Sequence, residues 1–257
     1  MSLVLVLFLF LIGIFIGSFL NVLIDRLPKD KSILGRSYCD FCKKTLKTKD
    51  LIPLLSFILL SGKCRYCHKK LSYQYPTVEL LTGLLFVITY QFATLNFQFS
   101  IFNYQLIYYL FVVSGLIVLF VADLKYYIIP DKITTVLGIL ASIFLLFNPE
   151  LIIPHLVSGS LAFLFFLAVY ILTKGRGWGF GDVKFAFVMG LILGPIGVVL
   201  ALYVAFLTGA TVGIILILWR KKGLKSIIPF APFLAFGTYI SLLFSEIIIP
   251  HLPFYLW

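Results

Sequence analysis

The sequence predicts an all-α, polytopic membrane protein with about eight transmembrane helices and one small polar insertion. Of its 257 residues, 61% are hydrophobic and 12% are charged, whereas soluble proteins carry about 25% charged residues. The apolar residues are grouped in repeated runs of spanning length, and the basic residues lie in alternate connections between the runs. These three observations exclude a soluble domain.

Eight apolar runs define the predicted spans. The sixth run has 12 residues, fewer than the roughly 20 of a perpendicular span, so it is either short or begins in the glycine-rich stretch before it. The first run has no basic region in front of it, which predicts a retained anchor rather than a cleaved signal peptide. The runs are residues 3–24, 78–95, 104–121, 133–148, 151–172, 184–195, 197–219 and 227–249.

The positions of the basic residues predict the orientation in the membrane. If the N-terminus is outside, all 21 Lys and Arg residues lie on the cytoplasmic side, in residues 25–77, 122–132, 173–184 and 220–226. This asymmetry follows the positive-inside rule. Orientation and contact with anionic lipid therefore explain the net charge of +11. No nucleic acid is expected as a partner, because the basic residues lack interleaved aromatic residues.

The connection between the first and second runs forms a separate polar segment. The predicted organisation is a first transmembrane helix in residues 1–24, a cytoplasmic insertion in 25–77 and a seven-helix membrane core in 78–257. Within the insertion, residues 51–60 are apolar but too few to cross a bilayer. We expect them to form a helix at the membrane interface.

Glycines four residues apart indicate where helices approach closely. Gly13 and Gly17 lie in the first run, and Gly209 and Gly213 lie in the seventh. Small residues at this spacing let two helix backbones come into contact. We therefore expect these glycines to serve packing rather than chemistry.

The insertion contains all four cysteines, as two CxxC pairs. Cys39 and Cys42 are separated from Cys64 and Cys67 by 21 residues. Two such pairs suit a tetrahedral zinc ion in a closed, structural site, which would stabilise an insertion too small to build its own core. Two disulfides are the alternative, but the cytoplasm is reducing. His68 could replace one ligand, although we expect it to be a solvated loop residue.

Two aspartates lie at the ends of predicted spans. Asp123 follows the third run and Asp182 begins the sixth, so both are expected at the cytoplasmic interface. Ionisable residues at membrane depth are costly and usually functional. Two neighbouring carboxylates do not ionise together, so one keeps a proton. The ionised one can then take a proton from water while the other donates to a scissile carbonyl, as in aspartic proteases.

Ion pairing is the alternative role for these aspartates. Asp123 would then pair with Lys125, and Asp182 with Lys184. Chemistry alone leaves ion pairing and catalysis equally open. Asp131 is expected to be the N-cap of the fourth span instead of a catalytic group.

Three glycines precede Asp182 at alternate positions: Gly177, Gly179 and Gly181. We expect them to let the backbone turn tightly and approach an extended peptide substrate. Gly179 and Gly181 are therefore predicted to bind substrate. A dinucleotide-binding loop fits these glycines poorly because no strand precedes them.

Six stretches spread over nearly the whole chain resemble a known family. In this order, and with the cysteine tetrad, they are similar to the bacterial type IV prepilin leader peptidases, bifunctional membrane enzymes of the GxGD aspartic protease group. The stretches are GSFLNVLIDRLP (17–28), RSYCDFCKKTLKTKDLIPLLSF (36–57), GKCRYCHKKLSYQYPTVELLTG (62–83), ADLKYYIIPD (122–131), GFGDVK (179–184) and IPFAPFLAFG (228–237).

The resemblance implies a function and assigns the candidate residues. It implies that Asp123 and Asp182 are the catalytic pair, and that the four cysteines bind the metal. The implied substrate is a prepilin or pseudopilin in the bacterial inner membrane, whose short basic leader is removed on the cytoplasmic side. The resemblance also implies methylation of the new N-terminal amine by S-adenosylmethionine. Glu79 is the candidate contact of this methyl donor, or else an interfacial residue at the start of the second span.

Three other functions fit parts of the sequence. A different GxGD protease would act on signal peptides or other membrane stubs, but the cysteine tetrad argues against it. A proton-coupled transporter would use the two aspartates as a relay, but the middles of the spans are almost free of acidic groups. A non-catalytic assembly factor held together by a zinc module would bind a pilin precursor without cutting it.

Overall fold

The computed structural model describes residues 3–97, 104–175, 177–219 and 228–248 of the chain. These residues form eight α-helices joined by turns, short 3₁₀ segments and two isolated β-bridges. The predicted external connection 96–103, the basic connection 220–226 and the end of the last run fall wholly or partly outside the described residues. The helices are α1 (Leu3–Arg26), α2 (Leu55–Leu59), α3 (Gln74–Phe97), α4 (Tyr104–Tyr126), α5 (Asp131–Leu146), α6 (Ile152–Leu172), α7 (Phe180–Leu218) and α8 (Ala231–Ile248).

Five described segments are long and apolar enough to cross a membrane, and the predicted count of eight spans is not confirmed. Helix α5 has 16 residues, and the described apolar part of α8, Ala231–Phe244, is also short. Helix α7 contains both the sixth and seventh predicted runs. The five segments are Leu3–Lys29, Gln74–Thr94, Tyr104–Tyr126, Pro149–Leu172 and Phe180–Leu218.

The described residues form two compact units. The first contains α1, the polar segment with α2, most of α3, and α4 as far as Val118. The second contains α4 from Leu119 onward and helices α5 to α8. Each unit has its own close helix contacts.

In the first unit, α1 packs against α3 through glycine. A Cβ on Gly13 would lie 2.7 Å from Cα of Gly83, and one on Gly17 would lie 2.8 Å from Cα of Glu79. Only glycine permits this separation, so the packing role predicted for Gly13 and Gly17 is confirmed. The opposite face of α1 leaves Leu7, Phe8, Phe15 and other large apolar side chains exposed, as expected of a surface facing lipid.

In the second unit, the closest backbone contacts lie at glycines that the spacing rule did not select. Gly159 of α6 packs directly against Gly190 of α7, and Gly237 of α8 packs against the backbone of Ala201. Gly209 faces the ring of Phe233 at an ordinary contact distance of 3.4 Å. Its pairing with Gly213 therefore does not mark a backbone-to-backbone contact.

Helix α7 is broken near its middle at Gly194 and Pro195. Gly194 has φ 67° and ψ −173°, a conformation that strains residues with a side chain. Pro195 has no N–H, so it cannot donate to the carbonyl of Leu191 four residues earlier. His155 of α6 binds that carbonyl through Nδ1 at 2.8 Å. The neighbouring helix thus supplies a hydrogen bond that α7 cannot make for itself.

A second side chain of α6 also bonds to a carbonyl close to the break. The hydroxyl of Ser158 donates to the carbonyl of Gly190 at 3.0 Å. In an unbroken helix that carbonyl would accept from the N–H of residue 194. Buried carbonyls need partners, so α6 holds the break in a defined geometry.

Residues 51–60 form a shorter helix than their apolar length suggests. Helix α2 covers only Leu55–Leu59, and Leu54 before it has a positive φ of 58°. Leu55, Ile58 and Leu59 are exposed. An exposed apolar surface on a helix of this length is what we expected of an interfacial segment.

Candidate active site and metal centre

Asp123 lies in the last turn of α4 and is almost completely buried. The chain reverses at Tyr127, which has a φ of 56°, and the Tyr127 N–H donates to the carbonyl of Asp123. The Asp123 side chain accepts a hydrogen bond from the N–H of Ala231 through Oδ2, at 3.2 Å. Ala231 is the first residue of α8, so Asp123 satisfies one of the free N–H groups at that helix terminus.

Asp182 lies in the first turn of α7 and is buried to the same extent, with 6% of its surface exposed. Its Oδ2 accepts a hydrogen bond from the N–H of Gly179 at 2.9 Å. Its Oδ1 is buried and makes no hydrogen bond within the described part of the chain. An unpaired buried carboxylate oxygen is costly unless another molecule or a proton satisfies it.

The two aspartates converge within the second unit. Both carboxylates are buried, and the residues before their backbone donors are in contact, because the ring of Trp178 stacks on that of Phe230. The segment that follows α4 also packs on the first turn of α7: a Cβ on Gly181 would lie 3.0 Å from Cβ of Ile129. Two neighbouring buried carboxyl groups tend to share one proton, which is the arrangement that acid–base activation of water requires.

The ion pair with Lys184, which was the alternative role for Asp182, is wrong. The N-cap role expected of Asp131 is also wrong. Lys184 pairs with Asp131, at 2.7 and 2.8 Å from its two oxygens, and not with Asp182. Asp131 is the first residue of α5, and the preceding Pro130 occupies the N-cap position. Lys184 thus joins the starts of α5 and α7, while Asp182 keeps its carboxylate for other partners.

The glycines before Asp182 have no unusual backbone, and Gly181 packs closely against Ile129. The positive φ values among the described residues of this region belong to Lys174, at 52°, and Gly175, at 71°, and not to Gly177, Gly179 or Gly181. A Cβ on Gly179 would meet Oδ2 of Asp182 at 3.6 Å, so a larger side chain would cover the carboxylate. These glycines therefore need no positive φ, and both the tight turn and the access to Asp182 stay predictions.

The four cysteines form two matching turns in the first unit. The N–H of Cys39 donates to the carbonyl of Lys44, and the N–H of Cys64 donates to that of Lys69. Each turn closes with a residue of positive φ four positions after its first cysteine, Lys43 at 58° and His68 at 54°. The two turns therefore repeat one backbone geometry at an offset of 25 residues.

These turns bring all four sulfur atoms within 4.8 Å of one another. Sγ of Cys39 and Sγ of Cys67 are 3.9 Å apart, far longer than a disulfide bond of about 2.05 Å. Two ligands of a tetrahedral zinc ion, each about 2.3 Å from the metal, would be separated by roughly this distance. The geometry therefore fits a divalent metal ion, and exposed His68 lies outside the sulfur cluster.

The protonation of the cysteines also fits a metal site. Burial raises the pKa of the Cys64 thiol. Hydrogen bonds from the N–H groups of Cys67 and Tyr66 lower the pKa by more than burial raises it, so that it is about 7 overall. For Cys67, a hydrogen bond from the Lys69 N–H lowers the pKa, but burial and the neighbouring thiols raise it to about 11. Four clustered sulfurs do not ionise together without a cation, and a bound metal supplies that charge.

Comparison with known proteins identifies the family. The model of the bacterial peptidase A24 N-terminal domain matches residues 11–92, and that of the type IV leader peptidase family matches residues 110–214. A prepilin leader peptidase/N-methyltransferase of Bacillus subtilis (strain 168) is 33% identical over 243 residues, which are 94% of this chain and 95% of the relative. The chain belongs to the type IV leader peptidase family.

Other members of the leader peptidase family are similarly related. The prepilin leader peptidase/N-methyltransferase of Myxococcus xanthus is 38% identical over 82% of this chain and 63% of its own length. The protein of the same name from Legionella pneumophila is 31% identical over 93% of this chain and 92% of its own. No solved structure matches the chain.

In this member of the leader peptidase family, Glu79 joins α3 to the segment before α2 within the first unit. It is buried on α3, and its Oε2 accepts a hydrogen bond from the N–H of Leu54 at 2.8 Å. Glu79 thereby fixes the strained residue that precedes α2. A contact between Glu79 and a methyl donor stays a prediction.

Sequence reasoning missed the groups that surround the two aspartates. Ala231 and Gly179 act through backbone N–H groups, which no side-chain motif reveals. Trp178, next to Gly179, stacks with Phe230, next to Ala231. The GWGFGD and IPFAP stretches contain these residues, so the aromatic residue beside each motif was the available signal.

Proposed function

We propose that this chain is a membrane aspartic endopeptidase that removes the short basic leader of type IV prepilins or pseudopilins. It would cut on the cytoplasmic side of the bacterial inner membrane and then methylate the new N-terminal residue. Family membership supports this reaction, because the related proteins are named prepilin leader peptidase/N-methyltransferase.

The observation that carries the peptidase assignment is the pair of buried carboxylates. Asp123 and Asp182 are both buried in the second unit, each accepts one backbone N–H, and Oδ1 of Asp182 has no partner in the described part of the chain. The N–H donors fix both side chains before any substrate arrives. A site held in place in this way can activate water without reorganising.

The dyad would hydrolyse a peptide bond by transferring protons. The ionised aspartate takes a proton from water, whose oxygen attacks the scissile carbonyl carbon while the protonated aspartate donates to the carbonyl oxygen. Collapse of the tetrahedral intermediate breaks the C–N bond: the leaving nitrogen takes a proton from one aspartate, while a hydroxyl of the intermediate returns a proton to the other aspartate as the carbonyl re-forms. The two aspartates end with one proton between them, as they began.

We propose eight membrane crossings, with the N-terminus outside and the aspartates at the cytoplasmic boundary. Helix α7 has 39 residues, about 60 Å of helix against a hydrocarbon core of about 30 Å. Its break at Gly194 supports two crossings. The positive-inside distribution of Lys and Arg supports the orientation. Accessibility labelling of single cysteines on either side of the membrane would test both.

Conservative variants of the two aspartates test the peptidase. Asp123→Asn and Asp182→Asn should each reduce leader cleavage by roughly 1,000-fold or more, because neither amide can exchange a proton with water. Asp131→Asn is the matched control: its carboxylate is exposed and, among the described residues, pairs with Lys184 at the surface, so cleavage should be unchanged. Intact-mass analysis of a co-expressed prepilin measures the product.

Two results would contradict the proposal. Normal cleavage by a folded Asp123→Asn or Asp182→Asn variant would remove the dyad. Wild-type protein that binds a prepilin but leaves its mass unchanged would instead support the non-catalytic assembly factor. A product cut elsewhere than the leader junction would support a different GxGD protease.

For methylation, the proposed donor is S-adenosylmethionine, which would supply the methyl group to the newly exposed amine. Glu79 is proposed as its contact because it is a buried carboxylate beside the strained Leu54 loop. Glu79→Gln keeps the side-chain shape and should leave cleavage intact while abolishing the added methyl mass. If cleavage and methylation both persist in this variant, Glu79 serves to bind the Leu54 N–H and is not a methyl-donor contact.

We propose zinc as the metal of the tetrad. Cys39, Cys42, Cys64 and Cys67 would bind it as four thiolates, and the ion would hold the two turns together. Metal analysis of protein purified under reducing conditions should find about one zinc per chain. Loss of this metal site would leave the aspartate assignment unaffected, because the two proposals rest on different residues.

A further inference from the structure

The two backbone donors that bind the aspartates share an unusual setting. The N–H of Gly179 binds Asp182, and the N–H of Ala231 binds Asp123. Each donor directly follows an aromatic residue, Trp178 in the first case and Phe230 in the second. The donors are therefore positioned by two short segments that lie far apart in the chain.

The two aromatic residues are stacked on each other. The centroids of the Trp178 and Phe230 rings are 5.4 Å apart, and the ring planes differ by 18°. This offset-stacked geometry is a favourable one for aromatic rings. The stack joins the residue before one donor to the residue before the other.

Further rings attach this stack to helices α6 and α7. Trp178 also stacks on Phe166 of α6, with centroids 4.5 Å apart and planes 30° apart. Phe166 is fully buried. Phe206 lies in the second half of α7. The centroid of its ring is 5.9 Å from that of Trp178 and 5.5 Å from that of Phe230. The indole ring therefore contacts the donor segment of Ala231 as well as rings of α6 and α7.

We propose that Trp178 is a positioning residue for the aspartate pair: its indole couples the segment that donates to Asp182 with the segment that donates to Asp123. This inference rests on the proposed function, since it assigns Trp178 a part in setting up the catalytic dyad. Trp178 touches neither carboxylate in the described contacts. It acts through the backbone of the residue that follows it.

Loss of this coupling would affect chemistry more than substrate binding. Without the ring, the N–H groups of Gly179 and Ala231 can shift independently, and the two carboxylates follow their donors. A misplacement of about 1 Å in a reacting group can cost roughly 100-fold in rate. Ordinary core packing at Trp178 would instead change the stability of the protein and leave the turnover of the folded fraction unchanged.

Three variants of the full-length protein in liposomes separate these roles. Trp178→Leu keeps apolar volume but cannot stack, and Trp178→Phe keeps a ring. The control is Phe163→Leu, which removes an α6 ring that pairs edge-on with Phe187, outside the donor segments. The substrate is a single-span peptide with a basic leader before its hydrophobic helix. Both kcat and KM are measured by intact mass.

For Trp178→Leu we expect kcat to fall roughly 10- to 100-fold while KM changes less than about threefold. Trp178→Phe should restore kcat to within about threefold of wild type, and Phe163→Leu should not change it. A wild-type kcat for folded Trp178→Leu would overturn the inference. So would a loss of kcat that Trp178→Phe does not restore.

Hydrogen exchange gives a readout that does not depend on peptidase activity. In Trp178→Leu, the peptides that contain Gly179 and Ala231 should both exchange faster than in wild type, while Phe163→Leu leaves both unchanged. Faster exchange at Gly179 alone would overturn the coupling. If wild-type protein does not cut prepilin at all, the proposed function fails, and the exchange of these two amides by itself decides whether Trp178 couples the segments.

Discussion

The cysteine turns and the aspartate pair are assembled at very different ranges along the chain. Each cysteine turn is closed by hydrogen bonds over about five residues, and the same geometry occurs twice. Asp123, by contrast, binds an N–H that lies 108 residues away. Local turns of this kind follow from short sequence patterns, whereas the aspartate pair depends on how several long helices pack. The first site should therefore fail when a ligand is lost, and the second when helix packing is disturbed.

Loss of the metal should have the largest effect on the local site. Cys64→Ser, or removal of the metal by a chelator, should leave residues 36–71 without stable structure, because metal binding in small modules contributes most of their folding free energy, about 10 kcal/mol or more for zinc. Hydrogen exchange of this segment and metal content measure the change.

His68→Asn is the matched control for the cysteine variants. Asparagine tolerates the positive φ at this position, and His68 lies outside the sulfur cluster. We expect this variant to retain its metal. Loss of metal from His68→Asn would mean that the histidine is a ligand.

Overpacking of the α6–α7 contact should have the next largest effect, on the long-range site. Gly190→Ala adds a Cβ directly against Gly159, so the helices must separate, at a cost of about 1–3 kcal/mol. Because α7 carries Asp182, leader cleavage should fall as well. Gly138→Ala is the control, since its Cβ would meet only Val188 at 3.4 Å. Equal stability of the two variants in a detergent unfolding assay would contradict this packing.

Removal of the hydrogen bond at the break in α7 should cost somewhat less. His155→Ala leaves the carbonyl of Leu191 without its donor, a loss of about 1–3 kcal/mol for a buried group. His155→Asn offers an amide N–H from a similar position and should recover part of the stability. If both variants unfold like wild type in the detergent assay, another group satisfies this carbonyl.

The smallest effect is expected at Asp50, beside the cysteine turns. Burial raises the pKa of Asp50. Hydrogen bonds from Arg65, the Lys47 N–H and Tyr66 together lower the pKa by more than burial raises it, so the pKa lies below its ordinary value of 3.8. Its ionised form therefore stabilises the fold at neutral pH, and this contribution disappears only as the pH falls through the lowered pKa. Asp50→Asn should cost about 1 kcal/mol, by the same amount from pH 8 to pH 5. A penalty that shrinks within this range would contradict the lowered pKa.

The sequence predicts the cysteine site better than the aspartate site, and the range of the contacts explains why. The CxxC spacing is sufficient to predict the clustering of Cys39, Cys42, Cys64 and Cys67, because each pair belongs to one turn. Apolar length likewise predicts the positions of the helices. It does not predict the break in α7, which depends on the conformation of Gly194.

The partners of the aspartates could not be read from nearby residues. Lys184 is two residues from Asp182, yet it pairs with Asp131, 53 residues away. In a helix, residues two positions apart point in different directions, so proximity in sequence was misleading. The N–H of Ala231 and the ring of Phe230 reach the site only through the packing of α8, which no local pattern specifies.

The broken helix α7 implies an order of events during biosynthesis. In a lipid environment, the Leu191 carbonyl, to which Pro195 cannot donate a hydrogen bond, would find no water to bind, so this helix is poorly suited to enter the bilayer on its own. Ser158 and His155 belong to α6, which the ribosome completes first. Because α6 precedes α7 in the chain, α6 can insert into the membrane first. The break in α7 can then form when α7 packs against α6.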